Sequence, residues 1–148
     1  MTVVICASPA DTAQLGGRLA SRLQPGDVLV LSGELGSGKT LFASGLAMGL
    51  GVEEPVTSPS FVLVRRYMSG FLPLTHADVY RLRSRNEFDD LELGADEGVL
   101  VVEWGNMVEG FLPSDHLRVE FEISDDESRV VTFKPFGSWV GRWRGSEL

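Results

Sequence analysis

The octapeptide GELGSGKT, Gly33 to Thr40, carries the clearest chemistry in this chain. Gly33, Gly36 and Gly38 free the backbone for unusual dihedrals, so that successive amide N–H groups can turn inward around an anion. Lys39 adds a charge able to reach β- and γ-phosphates, and the Thr40 hydroxyl is a hard oxygen donor for Mg²⁺. Glu34, Leu35 and Ser37 complete the loop, and Leu41 follows it, so Gly33 to Leu41 is the expected phosphate-binding segment.

A P-loop ATPase also needs an acid near the metal, commonly at the end of a neighbouring buried strand. Glu103 follows Val99-Leu100-Val101-Val102 directly, and Asp78 ends the stretch LPLTHAD. Either acid can bind Mg²⁺, directly or through water, or orient the attacking water; for Asp78 an ordinary surface carboxylate is equally compatible with the pattern. Thr57-Ser58-Pro59-Ser60 places three hydroxyls on a proline-constrained loop able to order around a γ-phosphate. His76 fits a proton relay, a holder of a switch segment, or a hydrogen-bonded structural histidine. Trp104, beside Glu103, is a core anchor or a partner contact. Trp139 and Trp143 cap the chain's own core or form a binding patch.

Elements of the right kind flank these residues. DVLVLS, Asp27 to Ser32, is a short β-branched run of the kind that forms a central parallel strand. Thr40 to Gly51 reads as a helix with Leu41, Gly45 and Met48 near one face and Gly51 as its stop. Upstream, Thr2 to Cys6 is a first strand, and Ser8-Pro9-Ala10-Asp11 starts a helix with Ser8 as cap and Asp11 completing an acidic capping box. That helix runs to about Leu23, with Leu15, Leu19 and Leu23 on one face. Downstream, Phe61 to Tyr80 forms two strands around Ser69-Gly70, NEFDDLELG a short helix, and Gly98 to Gly105 a second buried strand. HLRVEFEI and RVVTFKPF bracket SDDES as a hairpin. The expected fold is therefore α/β: a three-layer sandwich with a mainly parallel sheet and antiparallel additions, including the C-terminal hairpin, and a ligand beyond the strand C-termini.

Composition narrows the function. The 148 residues fit one domain, 1–148, with a sizeable core. No apolar run approaches the ~20 residues of a membrane span. The N-terminus lacks a basic region followed by a long apolar stretch, and the single Cys6 reads as a small buried residue, so the cytoplasm is the expected location. A net charge of −8, from 13 basic and 21 acidic residues, argues against gripping nucleic acid unaided. Arg65 to Gly70 and Tyr80 to Arg85 hold most of the mid-chain positive charge, as a local patch or as solvated arginines around an anionic ligand.

In order, S-P near the start, GELGSGKT, TSPSF, HADVYR, VEW and a terminal hairpin together resemble the TsaE family, small P-loop ATPases of bacterial tRNA threonylcarbamoyladenosine synthesis. The resemblance runs from about Ser8 to Phe136. It implies ATP and Mg²⁺ as cofactors, TsaD and TsaB as protein partners, and contact with tRNA only through that complex, with no membrane. It implies a weak ATPase, stimulated in the complex, that resets it between turnovers. Thr40 and Glu103 would hold Mg²⁺, and Asp78 would be required for hydrolysis. Thr57, Ser58, Pro59, Ser60 and Phe61 would form one switch, and His76, Asp78, Tyr80 and Arg81 a second. Trp104 would sit beside the nucleotide, with Ser8, Pro9 and Arg129 near the adenine. Ser60, Ser37 and Gly105 depart from the family's usual Thr, Ala and Pro, and none removes a chemical group that the mechanism needs.

Other classes fit less of the chain. A small-molecule kinase would use the same loop with Arg81, Arg83 and Arg85 as a phosphate clamp, but lacks an evident acceptor pocket. A GTPase is disfavoured because no N-K-x-D segment is present to read guanine. A nucleotide-gated interaction protein differs from the first reading only in whether hydrolysis matters.

Overall fold

The computed structural model describes residues 1–57, 64–93 and 97–148. Among these described residues seven strands form one sheet: β1 Thr2–Cys6, β2 Val28–Gly33, β3 Val64–Tyr67, β4 Leu74–Asp78, β5 Val99–Glu103, β6 His116–Ile123 and β7 Arg129–Phe136. The helices are α1 Pro9–Ala20, α2 Lys39–Gly49, α3 Arg85–Asp90 and the single turn α4 Trp139–Arg142. Strand order is β1-β7-β6-β2-β5-β4-β3. The four central strands β6, β2, β5 and β4 run parallel, and β1, β7 and β3 are added antiparallel. The three-layer α/β arrangement expected from the sequence is present.

Period-two alternation is cleanest where one sheet face is polar. In β6 it leaves Leu117, Val119 and Phe121 buried, with Arg118 and Glu120 less so. The central strand β2 has no such alternation, because both of its faces are covered. Leu29 and Leu31 pack beneath α1 and α2, whereas Val28 and Val30 join Phe88 of α3 and Leu112 on the opposite side.

Helix α1 begins as the capping box requires. Ser8 Oγ accepts from Asp11 N–H, and the Asp11 carboxylate accepts from the Ser8 N–H. The helix ends at Ala20, earlier than expected, because Leu23 leaves the helical path while staying buried. In α2 the face grouped by Leu41, Gly45 and Met48 is only partly the buried one. Leu41 and Met48 are exposed, and Phe42, Ala43, Gly45, Leu46 and Ala47 face inward. Gly45 supplied only part of the right face; aromatic Phe42, which packs edge-on to Phe121, sets the rest.

The helices α1 and α2 touch backbone to backbone. A Cβ on Gly45 would lie 1.8 Å from the Ala13 carbonyl oxygen, and one on Gly16 would lie 2.2 Å from that of Phe42. Gly45→Ala must therefore push the helices apart, at a cost of about 1–3 kcal/mol. Urea unfolding measures it; a midpoint equal to the parent's would contradict this packing.

The C-terminal segment clasps the base of β2. Arg142 donates to both oxygens of buried Asp27, at 2.6 and 2.8 Å, while its guanidinium stacks 3.9 Å from the Trp139 ring centroid. Trp139 is buried, and Trp143 packs on Phe133 and donates to Thr2 Oγ1 at 3.0 Å. Both tryptophans thus cap the chain's own core. Among the described residues, no helix is long and apolar enough to cross a membrane.

Candidate functional site

Every parallel strand ends at the same edge of the sheet. The register pairs Leu31 and Asp78 with Glu103, so the P-loop strand and both acid-bearing strands finish together. A cavity of about 970 Å³ opens at that edge. Its walls include Gly36, Gly38, Lys39, Thr40 and Leu41, the acids Asp78 and Glu103, Trp104, Pro9 and Arg129.

The loop is built by backbone freedom at two glycines. Gly36 has φ +79° and Gly38 φ +110°, where side chains are disfavoured. Gly38 is the N-cap of α2 and supplies no side-chain cap, so the first N–H groups of the helix are available to an anion. Lys39, only 5% exposed, donates to the carbonyls of Gly33 at 2.6 Å and Glu34 at 2.9 Å. Burial pushes its ammonium below the usual lysine range, and the carboxylates of Glu103 and Asp78 work against that shift.

The metal candidates converge. Thr40 Oγ1 donates to Glu103 Oε1 at 3.1 Å, and Glu103 Oε2 meets His76 Nε2 at 2.5 Å. Glu103 is 3% exposed, so both contacts hold a buried carboxylate. Asp78 lies on the neighbouring strand, and its Oδ1 accepts the Tyr80 N–H at 3.0 Å, bending the chain out of β4. Trp104 sits at φ +63°, a rare conformation for a side chain of this size. There its ring covers Lys39 Nζ at 3.9 Å and meets the Tyr80 ring at 4.7 Å. Arg129 reaches across to the loop and donates to the Gly36 carbonyl at 3.2 Å.

Most of the other expected residues stand apart from the cavity. Gly33, Glu34 and Ser37 shape the loop without lining the space, and Leu35, which lines it, is largely exposed. His76 is fully buried within β4, behind Glu103. Tyr80 is exposed on Trp104, while Arg81 and Thr57 are exposed and do not line the cavity. Ser58, Pro59, Ser60 and Phe61 lie outside the described residues.

Reasoning from the sequence missed part of the wall. Cys6 and Thr12 close one side, and Ile123 at the end of β6 with Asp126 and Glu127 of the β6–β7 turn close another. Burial pushes the Cys6 thiol above its usual range, as befits the small buried residue expected there. Asp126 is pushed down to about 2, first by the Ser124 hydroxyl and then by Ser128. The alternating spacing Ser124, Asp126, Ser128 was the available signal, a polar turn whose hydroxyls fold onto one acid.

This arrangement can seat a phosphate chain on amides and one lysine, with hard oxygen donors beside it. The family model described as "Threonylcarbamoyl adenosine biosynthesis protein TsaE" matches residues 6–131. The chain belongs to the TsaE family. This TsaE-family chain is 40% identical over 136 residues to the tRNA threonylcarbamoyladenosine biosynthesis protein TsaE of Bacillus subtilis strain 168, covering 88% of this chain and 84% of that one. It is 44% identical over 135 residues to the protein of the same name from Mycobacterium tuberculosis H37Rv, covering 83% and 80%. The crystal structure of Bacillus subtilis YdiB shares its fold with a TM-score of 0.78 and 35% identity, covering 91% of this chain and 85% of that one. As a TsaE, the chain takes part in tRNA threonylcarbamoyladenosine biosynthesis.

Proposed function

We propose that the chain acts as one ATPase domain, residues 1–148, hydrolysing ATP with Mg²⁺ and serving TsaD and TsaB in the cytoplasm. Hydrolysis resets the complex that modifies adenosine 37 of ANN-decoding tRNA, and tRNA is met only through the partners. The observation that carries this reading is the convergence of Lys39, Thr40 and Glu103 at one cavity.

The donors suit a hard cation. Thr40 Oγ1 and the Glu103 carboxylate are oxygens already within 3.4 Å of each other, and Asp78 stands beside them on β4. Among the described residues no cage of three or more His, Cys, Asp or Glu side chains gathers, which suits a cation shared with phosphate oxygens. Bound there, Mg²⁺ would neutralise charge on the β- and γ-phosphates.

The chain's own groups do the rest. The α2 amides and Lys39 bind and orient the phosphates, with Gly33, Glu34, Gly36, Ser37 and Gly38 shaping the loop and Leu35 and Leu41 at its mouth. Asp78 positions the attacking water. Trp104, packed at a tilt against Tyr80, shields Lys39 from solvent until phosphate arrives. Pro9 and Arg129 flank the base end. Thr57, Ser58, Pro59 and Ser60, together with Tyr80 and Arg81, respond to the γ-phosphate.

Calorimetric titration tests the phosphate assignment. ATP and ADP are expected to bind and AMP at least about 100-fold more weakly, since AMP lacks the groups Lys39 reaches. AMP binding as tightly as ATP would contradict the reading.

A further inference from the structure

His76 is the most enclosed polar side chain near the cavity, yet it does not line it. Strand pairing fixes its backbone on both sides, to Arg65 of β3 and Val101 of β5. Its Nε2 lies 2.5 Å from Glu103 Oε2, and among the described residues its Nδ1 has no hydrogen-bond partner. Those two facts fix the tautomer. A carboxylate only accepts, so the ring proton belongs on Nε2; a proton on Nδ1 would be a buried donor with nothing to receive it.

The consequence falls on Glu103. Its Oε2 is held by a ring that two strands immobilise, and the Thr40 hydroxyl lies nearer Oε1, at 3.1 Å, than Oε2, at 3.4 Å. With Oε2 engaged from behind, the carboxylate is held against rotation, and Oε1 is the oxygen closer to Thr40. We propose that His76 is a positioning residue: through its Nε2–H it locks the Glu103 carboxylate so that Oε1 and Thr40 Oγ1 form a preset pair for the divalent cation. This inference rests on the ATPase reading above, and gives His76 a fixed role in place of a mobile one. Outer partners of this kind are typically worth about 10–100-fold in metal affinity.

The test uses three variants of the full chain. His76→Leu removes both ring nitrogens, His76→Asn stops short of Glu103, and His76→Gln can restore a donor to it. For each, ATP affinity is measured calorimetrically in EDTA and across a Mg²⁺ titration, and wild type is examined without nucleotide by long-range ¹H–¹⁵N NMR. The NMR expectation is an Nε2–H imidazole whose proton signal is lost in Glu103→Ala. The Asn and Leu variants should need about tenfold more Mg²⁺ for half-maximal effect with EDTA affinity unchanged, and Gln should recover most of the difference. A merely structural histidine would lower both affinities together and would not be rescued by Gln. Folded variants with the wild-type Mg²⁺ midpoint, or an Nδ1–H tautomer, overturn the role while leaving the ATPase reading intact. A wild-type chain that binds no nucleotide overturns both.

Discussion

Lys39→Ala is expected to weaken ATP binding by about 100-fold or more, the loss of a charge-assisted contact worth at least ~2.7 kcal/mol. The lysine is placed for this and for little else. Its Nζ rests on the Gly33 and Glu34 carbonyls beneath the Trp104 ring, a position from which phosphate oxygens are the natural replacement partners. Burial weakens its hold on its proton, so the site binds anions best below the ordinary lysine range and loses that advantage as pH rises through the lowered value. Calorimetry with ATP at neutral pH measures the effect, and thermal unfolding shows whether the loop alone has collapsed. Retained affinity in a folded Lys39→Ala chain would contradict the phosphate assignment.

Glu103→Ala should separate binding from chemistry. Loss of the carboxylate strips part-buried Thr40 Oγ1 and buried His76 Nε2 of their shared acceptor and removes a hard donor beside the loop. Hydrolysis is expected to fall about 100-fold or more, while ATP affinity in EDTA changes only a few-fold. Glu103→Gln is the control for packing: its amide fills the same volume with no charge, so it should keep stability and still lose the Mg²⁺ response. Unchanged Mg²⁺ dependence in either variant would defeat the assignment of Glu103 to the metal.

The legible parts of this molecule were local. The hairpin strands β6 and β7 run over the residues that alternation marks, and the Ser8 cap closes with Asp11 as the spacing requires. The P-loop lies between a buried strand and a helix because its glycines and flanking apolar runs specify each other at short range. What stayed hidden depends on pairs far apart in the chain. Nothing near Asp27 announces Arg142, and β1 finds its partner in the last strand rather than the next one. His76 and Glu103 each read as chemically active, but only the parallel register of β4 on β5 brings them into contact. Which face of α2 is buried was not legible, because Gly45 alone cannot fix a helix's rotation, whereas its close approach to Ala13 does. The β6–β7 turn became a cavity wall through the same long-range register that sets β6 beside β2.

In the proposed function the nucleotide is spent on behalf of partner proteins. Its most direct test is ATP hydrolysis by the purified chain, alone and with TsaD and TsaB. The expected result is a slow basal rate that rises strongly when both partners are present and stays low in Glu103→Ala. A rate indifferent to the partners would contradict it.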